Sequence, residues 1–347
     1  MKPIDRLTAI LAGEAADRWP FVPSIDEHGA ALLGRTPAEV SCDAGLMADA
    51  AIAAFRAYQH DLVTVGIDIY NIEAQAFGCA VSHDETAVSI PGVTSHPLAG
   101  PEMPDPASPA IPQPGEGNRL GLIAEACRRV RQAIGGEVWV YACTGGPFSQ
   151  AVELRGFNDF IVDIVTNPDA AHRLMARTTQ LSIEHAERLS RVGVGVYLYE
   201  SWATIPLIDP SIFGAFVVPY NHQVIQFVRR HFPATPPPAI VMGGNVSILI
   251  DFFLEAESSL VVCDFNADFD LIRSRTAGRP IIVRGCVDPK AIERGDWPTL
   301  SRAIGTLASK AKGMRNFLWG CGCVPYHTPR EHVLRLKEMC LAAGERA

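Results

Sequence analysis

The stretch "SLVVCDFNADFDLIRSRTAGRPIIVRGC" (residues 259–286) holds two short apolar runs, 259–265 and 280–286, joined by a helix-like connection. Neither run alternates strictly between polar and apolar residues. Each is nearly continuous in apolar side chains, as a strand reads when both its faces are buried in a parallel sheet. Strand, crossover helix and parallel strand make one βαβ unit.

Six further runs of this kind occur along the chain: "FVPS" (21–24), "DLVTVGIDI" (61–69), "EVWVYAC" (137–143), "VGVYLYES" (194–201), "AIVMGGN" (239–245) and "NFLWGCG" (316–322). Helical patterns lie between them, for example "GLIAEACRRVRQAI" (121–134) and "DAAHRLMARTTQLSIEHAERLSRV" (169–192). Eight strands with intervening helices predict an α/β protein, a (β/α)8 TIM barrel. A doubly wound sheet is the alternative, but no Gly-rich dinucleotide loop follows an early strand. Residues 1–60 read as an N-terminal helical cap with the first strand, and the Pro/Gly-rich segment 91–118 as an excursion over the barrel. The whole chain, 1–347, reads as one domain.

The 347 residues are 48% hydrophobic and 20% charged, enough for a large buried core. A net charge of −8 argues against nucleic acid or an anionic membrane as the main partner. No window approaches the roughly 20 apolar residues of a membrane span. Nine cysteines, an odd number without an export signal at the N-terminus, fit a reducing compartment. The expectation is a cytoplasmic enzyme.

In a barrel the active site lies at the C-terminal ends of the strands. Those ends supply Asp26 and His28, then Asp68, Asn71 and Glu73, then Cys143 and Thr144. Further round stand Glu200, Asn245, Cys263 with Asp264, Cys286 with Asp288, and Cys321 with Cys323. Cys263, Cys286 and Cys321 end three consecutive strands that a barrel would bring together, so with Cys323 they are candidate zinc ligands. Buried cysteine as a small apolar filler is the alternative. Asp68 and Glu73 read either as an acid/base pair or as a strand end and a helix cap. Glu200, after "VYLY", is read as pointing into the barrel mouth. His28 and His327 read as turn or cap residues.

Four stretches carry a family likeness when taken together. They are "TGGPFSQAVELRG" (144–156), "GIDIYNIEAQAFGC" (66–79, with Gln75 at a usual Glu), "RGCVDP" (284–289, with Cys286 for Asn) and "GCGCVPYHTP" (320–329). They resemble the uroporphyrinogen decarboxylase superfamily, and within it the corrinoid methyltransferase branch. The resemblance implies a (β/α)8 barrel. Its decarboxylases grip their substrate's carboxylates with an arginine-rich N-terminal motif; here "RWPFVPSIDEHGAALLG" (18–34) has Arg18 alone. Its thiol methyltransferases hold zinc by His-x-Cys after one strand and Cys after the last. Cys321 or Cys323 matches the last position, but Val241 and Gly243 stand where His and Cys would.

Three readings stay open: a non-thiol acceptor such as tetrahydrofolate, a metal site rebuilt from Cys263, Cys286 and Cys321, or a different substrate. The first implies methyl transfer between a corrinoid, cobalamin free or on a small corrinoid protein, and a small-molecule acceptor. Glu200, Asn245 and Asp264 would then bind and activate the acceptor, and Asp68, Asn71, Glu73, Asp288 and Tyr220 would bind substrate. A decarboxylase and a non-catalytic corrinoid- or partner-binding barrel are the alternatives. The resemblance also implies a homodimer.

Overall fold

A computed structural model describes residues 1–84, 86–105, 111 and 113–345. Part of the 91–118 excursion, residues 106–110 and 112, lies outside the described residues, as do the last two of the chain.

The strands are β1 (Phe21–Ser24), β2 (Leu62–Val65), β3 (Ala80–Ser82), β4 (Gly92–Ser95), β5 (Trp139–Gly145), β6 (Gly195–Tyr199), β7 (Ala239–Val241), β8 (Leu260–Cys263), β9 (Ile282–Val287) and β10 (Phe317–Cys323). Eight of them pair in parallel, in the orders β1-β10-β9-β8 and β2-β5-β6-β7. Backbone hydrogen bonds join the two halves at both seams. Asp61 N donates to Phe21 O (2.8 Å) beside β1 and β2, and Ser259 N donates to Pro238 O (3.2 Å) beside β7 and β8. The wall therefore closes into the expected (β/α)8 barrel. All eight expected strands are present, the first at its expected bounds and the other seven trimmed or shifted by a few residues. The antiparallel hairpin β3–β4 was not expected. Its strands are short and largely exposed, so they carry no apolar signal.

Side chains alternate across the wall, as they must in strands. Tyr141, Cys143, Tyr197, Tyr199, Ile282 and Cys286 pack in one buried cluster inside the barrel. Phe21, Val140, Leu198, Val261, Val283 and Trp319 belong to the larger core between wall and helices. The N-terminal helix Pro3–Leu11 sends Leu7 and Ile10 into the inner cluster and so stoppers the bottom of the barrel. An ion network fixes it there. Fully buried Asp61 pairs with Arg6 and with Arg18 (2.8 Å), and accepts the Phe21 N–H (2.6 Å).

The outer helices start and stop where local chemistry requires. The longest, Pro168–Val192, has proline in its first turn and is capped by Asn167, which accepts the Ala170 N–H. It ends at Gly193, whose φ of 89° is left-handed backbone that glycine adopts without strain. Among the described residues no helix is long and apolar enough to cross a membrane.

Candidate active site

The strand register sets the first group. Ser24 of β1 lies opposite Cys323 of β10, past an irregularity in the pairing. The next residues therefore bring Asp26 against Cys323 at the mouth, where the thiol faces the carboxyl. Asp26 is 6% exposed, and its Oδ2 has no hydrogen-bond partner. Burial pushes the Asp26 carboxyl upward, with the Cys323 contact and the charge of Arg284 opposing. Its half-buried neighbour Glu27 is pushed up to about 7, first by burial and then by Asp26. Two adjacent carboxyls thus share the lip of the mouth, and burial raises both.

Beneath them lies Arg284, on the inward-facing side of β9 with Ile282 and Cys286. Its Nη2 donates to Ser24 Oγ (2.7 Å) and to Cys321 O (2.9 Å). Gly320 makes room for it. A Cβ there would come within 2.5 Å of Arg284 Nε and 3.0 Å of Cys286 Sγ.

The loop after β2 builds a third wall. Asp68 is buried in an ion pair with Arg119 and accepts Asn71 Nδ2 (2.6 Å), while Arg119 Nε donates to Gln75 Oε1 (2.6 Å). Asn71 also donates to Pro91 O (2.6 Å), tying the loop to the start of β4. Tyr70 takes left-handed backbone (φ 52°) and turns its hydroxyl toward Ser201. Buried Glu73 accepts the Gly145 N–H (2.8 Å), and burial raises it to about 7. His185 Nε2 stands 3.8 Å from Glu73, but burial holds the imidazole down to about 3, so the two are not an ion pair.

Other expected site residues fall elsewhere. Glu200, expected in the mouth, is fully buried outside it. It accepts the N–H groups of Phe148 (3.1 Å) and Ser149 (2.7 Å) and the Asn221 amide (2.6 Å), at the start of helix Pro147–Arg155. Asn245 and Asp264 stand at the rim, exposed and half-buried. Asp264 Oδ2 accepts Gly244 N (3.0 Å), and Asn245 Oδ1 accepts Ser247 N (3.1 Å). Asp288 caps helix Pro289–Arg294 by accepting Lys290 N (2.9 Å). Tyr220 is in the outer helical layer, where its hydroxyl meets His172 Nδ1 (2.8 Å).

The four-cysteine metal reading is corrected by the same alternation. Cys286 faces into the barrel, whereas Cys263 and Cys321 face the outer core, so the wall itself separates them. Burial pushes the Cys263 and Cys321 thiols up to about 12 and about 11. Cys323 is at the mouth beside Asp26 instead. Among the described residues no three His, Cys, Asp or Glu side chains are grouped as metal ligands. The donor set does not fit zinc.

Arg284, Arg119, Tyr70 and Glu27 were not foreseen as site residues. Arg284 was legible: an arginine inside "PIIVRGC", on the same strand face as Ile282 and Cys286, is a charge in a barrel interior. Arg119 carries no such signal. Two concavities lie off this chemistry. One, of about 620 Å³, lies between helices Trp297–Ala311 and Arg330–Gly344, and another, of about 560 Å³, lies beside Ile10 and Pro280 at the bottom. The mouth is the candidate site because the strand ends and the perturbed carboxyls meet there.

Comparison with known proteins agrees with the barrel fold. The profile of the uroporphyrinogen decarboxylase (URO-D) family matches residues 2–342. The chain belongs to the uroporphyrinogen decarboxylase family. The uroporphyrinogen decarboxylase of Myxococcus xanthus is 29% identical over 204 residues, covering 55% of this chain and 56% of that one. That match spans little more than half of its relative. A uroporphyrinogen decarboxylase of Legionella pneumophila is 23% identical over 344 residues, covering 96% of this chain and 91% of the other. Among solved structures, a methyltransferase from Methanosarcina mazei superposes with a TM-score of 0.84 at 20% identity, covering 100% of this chain and 99% of that one. At that identity the likeness establishes the family's barrel fold and no more.

Proposed function

We propose that this protein transfers a methyl group between a corrinoid, free or carried by a small protein, and tetrahydrofolate. The observation that carries the reading is the Asp26–Glu27 pair at the lip of a mouth whose donor set does not fit zinc. A thiol acceptor at neutral pH wants a metal to lower its pKa. An amine acceptor wants a base for the proton it sheds on methylation, and Glu27, raised to about 7, is such a base.

A methylated corrinoid, when bound, supplies an electrophilic methyl group and keeps the electron pair of the broken bond. The chain's own residues do the rest. The acceptor nitrogen attacks with its lone pair, and its proton passes to Glu27, with Asp26 and the Cys323 thiol beside it. Asn245 and Asp264 at the rim hold the acceptor's polar edge, and the Asp68–Arg119 wall sets its orientation. Leu207, Ile248 and Phe265, which follow β6, β7 and β8, are 43%, 56% and 55% exposed. Large exposed apolar side chains on three neighbouring rim loops suit docking of a corrinoid or of its carrier protein. The fold shared with the Methanosarcina mazei methyltransferase supports the same reading.

A decarboxylase of tetrapyrroles is disfavoured by Arg18. It is the single arginine of the segment in which such enzymes carry their gripping motif, and it is bound to Asp61 at the opposite end of the barrel. A substrate with many carboxylates needs several fixed cations at the mouth. The two readings separate in one experiment. Purified protein is given methylcobalamin with tetrahydrofolate, and separately uroporphyrinogen, under anaerobic conditions. Consumption of methylcobalamin without carbon dioxide release from uroporphyrinogen supports the proposal, and the reverse result overturns it.

A further inference from the structure

Arg284 is a cation in the wrong place for a purely structural residue. It is 6% exposed, and among the described residues no carboxylate lies within ion-pair distance of it. Its Nη2 is satisfied by a hydroxyl and a carbonyl, but its buried Nε has no acceptor. The other groups around it are the thiols of Cys286 and Cys321 and the phenols of Tyr197 and Tyr199, all neutral at pH 7. The nearest carboxyl able to act on it is that of Asp26, which faces the Cys323 thiol instead. A buried ion without counter-charge is strongly disfavoured unless something later supplies that charge.

The surroundings have the form of a receptor. Gly320 makes room for the guanidinium, Ser24 fixes one nitrogen, and the Arg284 Nε and the Asp26 Oδ2 are each buried near the strand ends without a hydrogen-bond partner. Contrast Arg119, Arg6 and Arg18, each neutralised by an aspartate. Arg284 is buried at the strand ends with no such ion pair among the described residues.

We propose that Arg284, seated over Gly320 and beside Ser24, is the receptor for a single carboxylate of the small-molecule substrate. The carboxylate is held at the floor of the mouth by charge-assisted hydrogen bonds, and the rest of the molecule stands toward Asp26 and Glu27. This assignment rests on the mouth being the active site, as proposed above, but not on methyl transfer. A carboxylate is shared by two kinds of ligand, the glutamyl tail of a folate and a small free acid.

The test is calorimetric binding to the full-length protein without any corrinoid. The probes are p-aminobenzoylglutamate and benzoate, each against its uncharged amide. Wild-type protein is expected to bind at least one acid about tenfold or more tightly than its amide, since one charge-assisted contact distinguishes them. Preference for p-aminobenzoylglutamate marks a folate tail, and preference for benzoate marks a small acid. Arg284→Gln should erase the acid preference, and Ser24→Ala should weaken it by a few-fold. Acids binding no better than amides to the wild type, or an acid preference that survives Arg284→Gln, overturns the assignment. Should Arg284→Gln not fold, the acid–amide comparison in the wild type and the Ser24→Ala titration still decide it. Acid preference without methyl transfer would sink the proposed function and leave this receptor standing, whereas transfer without acid preference would do the opposite.

Discussion

The Asn221 side-chain amide donates to the Glu200 carboxylate over 2.6 Å, both residues being fully buried. With the N–H groups of Phe148 and Ser149, it makes Glu200 the anchor of the first turn of a helix rather than a group that meets substrate. Glu200→Ala strands three buried donors, at about 1–3 kcal/mol for each left unpaired, so a total loss of several kcal/mol is expected. Urea denaturation measures it. Glu200→Gln, which keeps two acceptor sites, should recover part of the stability. A stable Glu200→Ala protein devoid of activity would show that Glu200 belongs to the chemistry.

Glu73 gives stability a pH dependence with a definite sign. Its folded-state pKa, about 7, is above the unfolded value of 4.5, so the folded protein binds the proton more tightly. The resulting stabilisation is complete below about pH 4.5 and is lost as pH rises through 7. Glu73→Gln keeps an acceptor for Gly145 N–H and removes the titration. Compared with wild type, it should gain stability from pH 5 to pH 8 by up to about 3 kcal/mol, the free energy of the pKa difference. Parallel pH–stability curves for the two proteins would contradict this.

Cys263 and Cys321 are on the outer side of the wall and Cys286 is on the inner side. Cys263→Ala and Cys321→Ala should therefore leave methyl transfer and metal content unchanged, at a cost in stability of about 1–2 kcal/mol for the lost packing. Elemental analysis beside an activity assay reads both. Stoichiometric zinc that disappears with either substitution would restore the metal reading.

Phe265 extends from the rim after β8 with 55% of its surface exposed and supports no core. Phe265→Ser should change thermal stability little, within about 0.5 kcal/mol, as surface substitutions do. It should raise the KM for methylcobalamin or its carrier protein while sparing the affinity for tetrahydrofolate. An unchanged KM would remove the rim from the docking surface.

The barrel was legible because parallel strands buried on both faces are written as continuous apolar runs, and each of the eight was found in this way. The same continuity hides which face is which. A run such as "VGVYLYES" does not reveal that Tyr197 and Tyr199 point inward, so Glu200, one residue later, was placed on the wrong side. The cysteines at 263 and 321 failed for the same reason: shifting parity by one residue exchanges the two faces of a strand. Asp26 and Cys323 meet through an irregular register between the first and last strands, a contact across almost the whole length of the chain. Nothing local in either segment encodes it. Arg284 is the opposite case, a charge within an apolar run whose meaning needed only the alternation of its own strand.

Methyl transfer to a nitrogen acceptor in the Asp26–Glu27 mouth can be followed atom by atom. The most direct measurement supplies methylcobalamin carrying a 13C-labelled methyl group, with tetrahydrofolate and protein under anaerobic conditions, and follows the label by NMR. The label should reach an N-methyl folate at a rate that falls about 10²-fold or more in Glu27→Gln, the lower range for loss of a general base. Label that stays on the corrinoid, or moves only when a thiol replaces the folate, would contradict it.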